Sequence, residues 1–353
     1  MRTIGVLLVA LPVGRSFLQA TRRFLRRPRA TVDQSEAAPV VWTADGEERW
    51  VWQCGDESFE THYIKRAPST APFKPVVLVH GFGASFYHWR YTVPALVSKG
   101  YTVFCLDLVG FGLSQKPVYD YCPATWSEQV AAFIDEVVGA PAVVVGNSLG
   151  GYVALQVGAD FPGRVRGVCL LNAAGRFRTG DEDSETPQAP LSPMATIADK
   201  VNLAVQRVLF MLSFNLIRRK PRIEAILKSV YPVYAENVDA DLVESIFYPA
   251  TQANAEVYRL VITRPGGPGR PIDDLLATLE RPLLLAWGIK DPWIRPPAAD
   301  KIVQIHSTLL ETYPLRRVDI DAGHCPHDEN PDDTNAAILN WLETDIPWTS
   351  LST

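Results

Sequence analysis

The stretch Val-Val-Val-Gly-Asn-Ser-Leu-Gly-Gly-Tyr-Val-Ala-Leu at 143–155 sets one hydroxyl, Ser148, between Gly146 and Gly150. Apolar residues lie on both sides, so Ser148 falls where a buried strand turns sharply into a helix. This is the G-x-S-x-G pattern of a nucleophile elbow. Such a turn holds the serine in a strained backbone conformation that lifts its hydroxyl clear of the sheet. Gly146 and Gly150 leave the room that larger side chains would fill. Asn147 sits beside the nucleophile, and the new helix aims unpaired N–H groups at the reaction site.

A serine hydroxyl needs a base. "DAGHCPHDENP" at 321–331 offers His324 after the last strand, with His327 as the rival. His327, near the start of the last helix, fits a structural hydrogen-bonding role. An acid must hold the imidazole and balance its charge. "GIKDPW" at 288–293 supplies Asp291 for this, against Asp319, Asp321 and Asp107. Asp107, in "LDLVGFG", fits better as a tie for its own loop. A developing oxyanion needs two donors. Leu149 N–H is one, and Phe82 N–H in "HGFGAS" (80–85) is the other. His80 and Gly81 support that loop.

These groups need a scaffold. Alternating residues at 49–67 predict an antiparallel hairpin. Continuous apolar runs at 75–83, 101–112, 141–148, 165–175, 281–291 and 315–324 predict strands buried on both faces of a parallel sheet. Helical patterns fall between them. One spans 125–138, with Thr125 as N-cap and Glu128 as its capping-box partner. Another spans 330–344, with Asn330 as N-cap and Pro331 first. The alternation predicts an α/β fold with a doubly wound sheet. It breaks at 176–271, where a polar linker and three helical segments read as a cap over the sheet's carboxyl end. The core is then 46–175 plus 272–347.

The chain has 353 residues, 47% hydrophobic and 21% charged, with net charge −5. That balance gives no electrostatic footprint for nucleic acid. Five scattered cysteines form no C-x-x-C pair, which argues against a disulfide scaffold or a zinc site. Neither a metal nor a nucleotide or flavin motif is visible, so no cofactor is expected. Residues 1–30 hold seven arginines and no acid, and 1–45 read as a targeting or disordered segment, in the style of an organelle transit sequence.

"HGFGAS…HWR", "LDLVGFGLSQKP", "GNSLGGYVAL" and "GHCPHDENP" together resemble the α/β-hydrolase superfamily over about 50–345. They look most like its plastid and cyanobacterial branch of pheophytinase-like and other chlorophyll-type ester hydrolases. The resemblance implies the α/β-hydrolase fold, a mostly parallel eight-stranded sheet with helices on both faces and a cap inserted after strand 6. It implies a serine hydrolase of apolar, chlorophyll-type or lipid esters in the chloroplast, with mitochondrion or cytoplasm as alternatives. Asn before the serine is shared with meta-cleavage-product hydrolases, which cut carbon–carbon bonds. A ligand receptor that kept the three side chains is a further alternative. Haloalkane dehalogenases and epoxide hydrolases carry aspartate at the elbow, and Ser148 speaks against both activities. The apolar helix 203–217, followed by "RRK" at 218–220, fits either a packed cap or a lid that docks on membranes. The expected partner is a small apolar substrate; the sequence sets no oligomeric state.

Overall fold

The computed structural model describes residues 40–43, 47–178, 213–263, 267, 269–309 and 313–348. The expected targeting segment lies outside these up to residue 39. Of its described residues, Val40 is buried and Trp42 stacks on Phe86, ring centroids 5.8 Å apart.

Eight strands form one sheet: β1 (Glu48–Cys54), β2 (Glu57–Arg66), β3 (Pro75–Val79), β4 (Thr102–Leu106), β5 (Ala142–Asn147), β6 (Val165–Leu171), β7 (Leu283–Gly288) and β8 (Leu315–Ile320). Their order is β1-β2-β4-β3-β5-β6-β7-β8. β1 and β2 form the antiparallel hairpin, β2 meets β4 antiparallel, and β4 through β8 run parallel.

Every residue of β3, β4, β5 and β7 is buried. Successive side chains enter opposite cores: Val77 and Val79 join one apolar cluster, Val76 and Leu78 the other. A strand buried on both faces cannot alternate with polar residues, which explains the continuous apolar runs. Helices Pro123–Phe133, Leu149–Asp160 and Ile272–Thr278 contribute to the first cluster, and Pro331–Thr344 to the second.

Asn330 caps the last helix as expected, its side chain accepting from Asp333 N. The helix expected from Thr125 starts earlier, with Cys122 as N-cap and Pro123 in the first turn. Proline's missing N–H and fixed φ suit that position, so it displaces the Thr125 cap. This helix ends in a π turn, Ile134–Val138, followed by Gly139 at φ 73°. Between β6 and β7 the described chain is helical: Lys220–Val230, Ala240–Gln252 and Ala255–Thr263. Most of the apolar stretch 203–217 lies outside the described residues; 213–217 is helical.

Candidate active site

Ser148 follows β5 and precedes the helix Leu149–Asp160, with φ 54° and ψ −116°. Only two non-glycine residues among those described have positive φ: Ser148 and Asn172. Such backbone costs on the order of 1–3 kcal/mol and persists only where its surroundings enforce it. Here Ser148 N donates to Leu171 O (3.0 Å), while Ala174 N and Tyr152 N donate to Ser148 O (2.9 and 3.1 Å). A methyl at Gly146 would strike the Gly150 carbonyl, and one at Gly150 would strike the Val79 carbonyl. Both glycines are therefore required by close backbone approach.

The helix ladder begins with Tyr152 N, so Leu149 N–H lies ahead of it, at the positive end of the helix dipole. Facing the elbow is the loop after β3. A methyl on Gly81 would lie 3.1 Å from Asn147 Oδ1 and 3.2 Å from Ser148 Cβ, so this loop packs directly on the elbow. His80 fixes it: Leu108 N donates to His80 Nε2 (3.1 Å), so the proton sits on Nδ1, which meets Gly81 O at 2.7 Å. Burial depresses the His80 pKa, opposed by the nearby Asp107. Phe82 is half exposed, its ring 5.6 Å from that of Phe111.

His324 is buried, and its Nδ1 lies 2.7 Å from Asp291 Oδ2. That leaves Nε2 as the ring nitrogen open to a substrate or hydroxyl. Asp291 Oδ1 accepts from Trp293 N (2.7 Å) and Ile294 N (3.0 Å), which locks the carboxylate in the loop after β7. The rival acids are engaged elsewhere. Asp319 pairs with Arg317 and Asp321 with Lys290, each at 2.7 Å. Asp107 accepts from Phe86 N (2.6 Å) and Leu113 N (2.8 Å) and contacts His62 Nδ1 (2.9 Å).

Asn147 ties the elbow to the histidine loop. Its Nδ2 donates to His324 O (2.9 Å) and Leu171 O (3.0 Å). The neighbour of Ser148 thus holds the backbone of His324, although Asn147 and His324 are 177 positions apart in the chain.

His327 does not form the hydrogen bonds expected of it. Both ring nitrogens are buried without a protein partner, and the ring packs 4.2 Å from Trp89 and 4.9 Å from His88. Burial holds its pKa well below the usual value. It acts as a neutral aromatic wedge.

Two supporting residues escaped the sequence reading. Asn172, just after β6, donates from Nδ2 to Asp291 Oδ2 (2.8 Å) and accepts from Gly288 N (2.7 Å). Glu329 accepts from Val233 N (2.7 Å) and Tyr234 N (3.2 Å), and its other oxygen accepts from Gly323 N. For Asn172 the available signal was an asparagine closing an apolar strand; for Glu329 it was an acid five residues after the histidine.

Beside the loop after β3 is an apolar cavity. Phe82, Phe111 and Lys116 line it from the core; Phe214, Ile217 and Tyr258 line it from the segment between β6 and β7. Lys116 Nζ donates to Gly112 O (2.6 Å) and Ser114 O (3.0 Å), and burial lowers its pKa to about 8.

A sequence pattern described as "Alpha/beta hydrolase family" matches residues 76–337. "Pheophytinase, chloroplastic" of Arabidopsis thaliana is 29% identical over 318 residues, 80% of this chain and 64% of that protein. "2-hydroxy-6-oxo-2,4-heptadienoate hydrolase" of Pseudomonas putida is 38% identical over 105 residues, 29% of this chain and 38% of that enzyme. The matches therefore span less than two thirds of either relative. Among solved structures, a bacterial membrane phospholipase A superposes with a TM-score of 0.61 at 23% identity, covering 85% of this chain and 87% of that one. At that identity the likeness is one of fold.

Proposed function

Because the chain belongs to the alpha/beta hydrolase family, we propose that it is a serine ester hydrolase with Ser148 as nucleophile, His324 as base and Asp291 as the acid that orients it. The family makes it a hydrolase. The reading of bond and residues rests on one observation. The strained Ser148 turn and the 2.7 Å Asp291–His324 pair are tied together through Asn147.

In this reading Ser148 Oγ attacks the ester carbonyl while His324 Nε2 takes its proton. Asp291 keeps the other ring proton on Nδ1 and balances the imidazolium charge. The oxyanion collects the N–H groups of Leu149 and Phe82. The His324 proton then goes to the departing alcohol, and water releases the acid by the same steps in reverse.

The substrate carries a large apolar group, because the cavity beginning at Phe82 is walled by Phe111, Phe214, Ile217 and Val261. The likeness to a pheophytinase makes phytylated pigment esters the first candidates. That protein's chloroplast location and the arginine-rich residues 1–30 support a plastid setting for this chain, which imaging of a full-length fluorescent fusion tests.

The deciding assay compares short and long acyl or prenyl esters, pigment esters included. Higher turnover of long apolar esters is expected; preference for acetate would defeat the substrate reading. Loss of a dienol chromophore without ester turnover would move the reaction to carbon–carbon cleavage, the reading that Asn147 beside the serine favours. Fluorophosphonate labelling of Ser148 with no turnover at all would make the protein a receptor.

A further inference from the structure

A basic run adjoins the apolar cavity, with Arg218 in its lining. Residues 216–222 read Leu-Ile-Arg-Arg-Lys-Pro-Arg, in a chain whose net charge is −5. Four cations in five positions thus oppose the sign of the whole protein.

Their partners are few. Lys220 pairs with Glu244 at 2.5 Å, and Glu224 pairs with Lys228. Asp239, at the start of the neighbouring helix, pairs with Arg90. The guanidinium groups of Arg218, Arg219 and Arg222 have no carboxylate partner among the described residues. Arg219 and Arg222 are exposed. Arg218 lies over the Phe214 ring, 5.1 Å from its centroid.

Apolar surface accompanies the charge. Leu216 is 57% exposed, while Ile217 beside it lines the cavity. Arg218 lines both that cavity and a surface recess shared with Arg219, Phe247 and Thr251. Cavity and recess thus meet at Arg218, whose guanidinium has no carboxylate partner among the described residues.

We propose that this basic run docks the protein on an anionic lipid surface, with Arg218, Arg219 and Arg222 meeting phosphate headgroups and Leu216 entering the interface. Charge complementarity selects the occupant. Each cation near an anionic leaflet contributes about 1 kcal/mol, or roughly fivefold in binding. An exposed leucine beside guanidinium groups suits the boundary between headgroups and chains. No described helix is long and apolar enough to cross a membrane. Docking there sets the Arg218 side of the cavity against the lipid, and an apolar ester enters without crossing water. Docking itself does not depend on the ester reading.

The test is vesicle co-sedimentation of the full chain carrying Ser148→Ala, which separates docking from catalysis. Vesicles of phosphatidylcholine alone are compared with vesicles containing phosphatidylglycerol. Retention at least about tenfold higher on the anionic vesicles, abolished by high salt, is expected. Arg219→Glu with Arg222→Glu should remove that preference. In the Ser148 background the same pair should leave hydrolysis of a soluble short ester unchanged, which also shows that it folds. Equal retention on both vesicles, no retention, or full retention by the double variant overturns the proposal. Binding to soluble heparin without binding to vesicles overturns it too, and assigns the basic run to a polyanionic macromolecule.

Discussion

Asn172 Nδ2 donates to the same carboxylate oxygen of Asp291 that faces His324 Nδ1, at 2.8 Å. The amide carries φ 44°, and its oxygen accepts from Gly288 N, so it bridges the ends of β6 and β7. It fixes the direction of the carboxylate. Asn172→Ala should lower kcat by about ten- to a hundredfold with little change in KM, since a hydrogen bond to a charged group contributes about 1.5–3 kcal/mol. Steady-state kinetics on one long-chain ester decides. A KM effect alone would place Asn172 in substrate binding instead.

Ser148→Ala removes only the oxygen from a residue whose strain is set by its neighbours. Turnover should fall by about three to six orders of magnitude, because nucleophile, base and acid act as a unit. Fluorophosphonate labelling should vanish, with the melting temperature close to wild type. Surviving turnover would mean that another group attacks the carbonyl.

His327 offers a gain in stability. Its two orphan nitrogens cost desolvation without return, and Trp89 already treats the ring as an aromatic. His327→Phe should raise stability by about 1–2 kcal/mol near neutral pH, measured by chemical unfolding. Destabilisation there would show that the nitrogens have a use.

Buried histidines also set the acid limit. Burial holds His88 at about 3, and it holds His80 and His327 below their usual range. An unfolded histidine titrates near 6.5, so the unfolded chain binds these protons first on acidification. Their contribution is complete above about pH 6.5 and is lost as pH falls towards the folded values. Asp328 runs the opposite way. Burial pushes it up to about 6 despite Arg90, so between about pH 4 and 6 the native state takes a proton that the unfolded chain does not. The histidines therefore lower stability on acidification below about pH 6.5, and Asp328 partly offsets that loss between about pH 6 and 4. Unfolding free energies measured from pH 7 to 4.5 check this. The His327→Phe slope should be shallower.

The parallel strands were legible because burial on both faces forces unbroken apolar runs such as "PVVLV". Ser148 was legible because close backbone approach demands glycine at both 146 and 150. Asn172 was not, because its task depends on β6 and β7 lying side by side, a sheet order that no local pattern states. His327 misled for a related reason. A polar residue at a helix start reads as a hydrogen-bonding group, whereas Trp89, far away in sequence, decides its surroundings. The cap over Thr125 yielded to Pro123 two residues earlier, a competition between two adequate local signals.

Glu329 connects the histidine to the segment between β6 and β7. One oxygen accepts from Val233 N and Tyr234 N, the other from Gly323 N, the residue before His324. His324 N itself donates to Val230 O at 3.0 Å, and Asn237 Nδ2 donates to Glu329 O at 2.7 Å. The loop that presents the base is thus held against residues 230–237 on several sides. Glu329→Gln replaces one acceptor with an NH₂ group that must face a backbone N–H. Loss of one such bond costs about 1–3 kcal/mol, so the loop loosens or the 233–234 contact opens. The expected result is a melting temperature lower by a few degrees and, at temperatures where the variant is fully folded, kcat lower by about five- to fiftyfold. KM for a short ester, which needs little of the apolar cavity, should hardly change. A lower melting temperature with wild-type kcat would mean that Glu329 braces the fold without positioning His324.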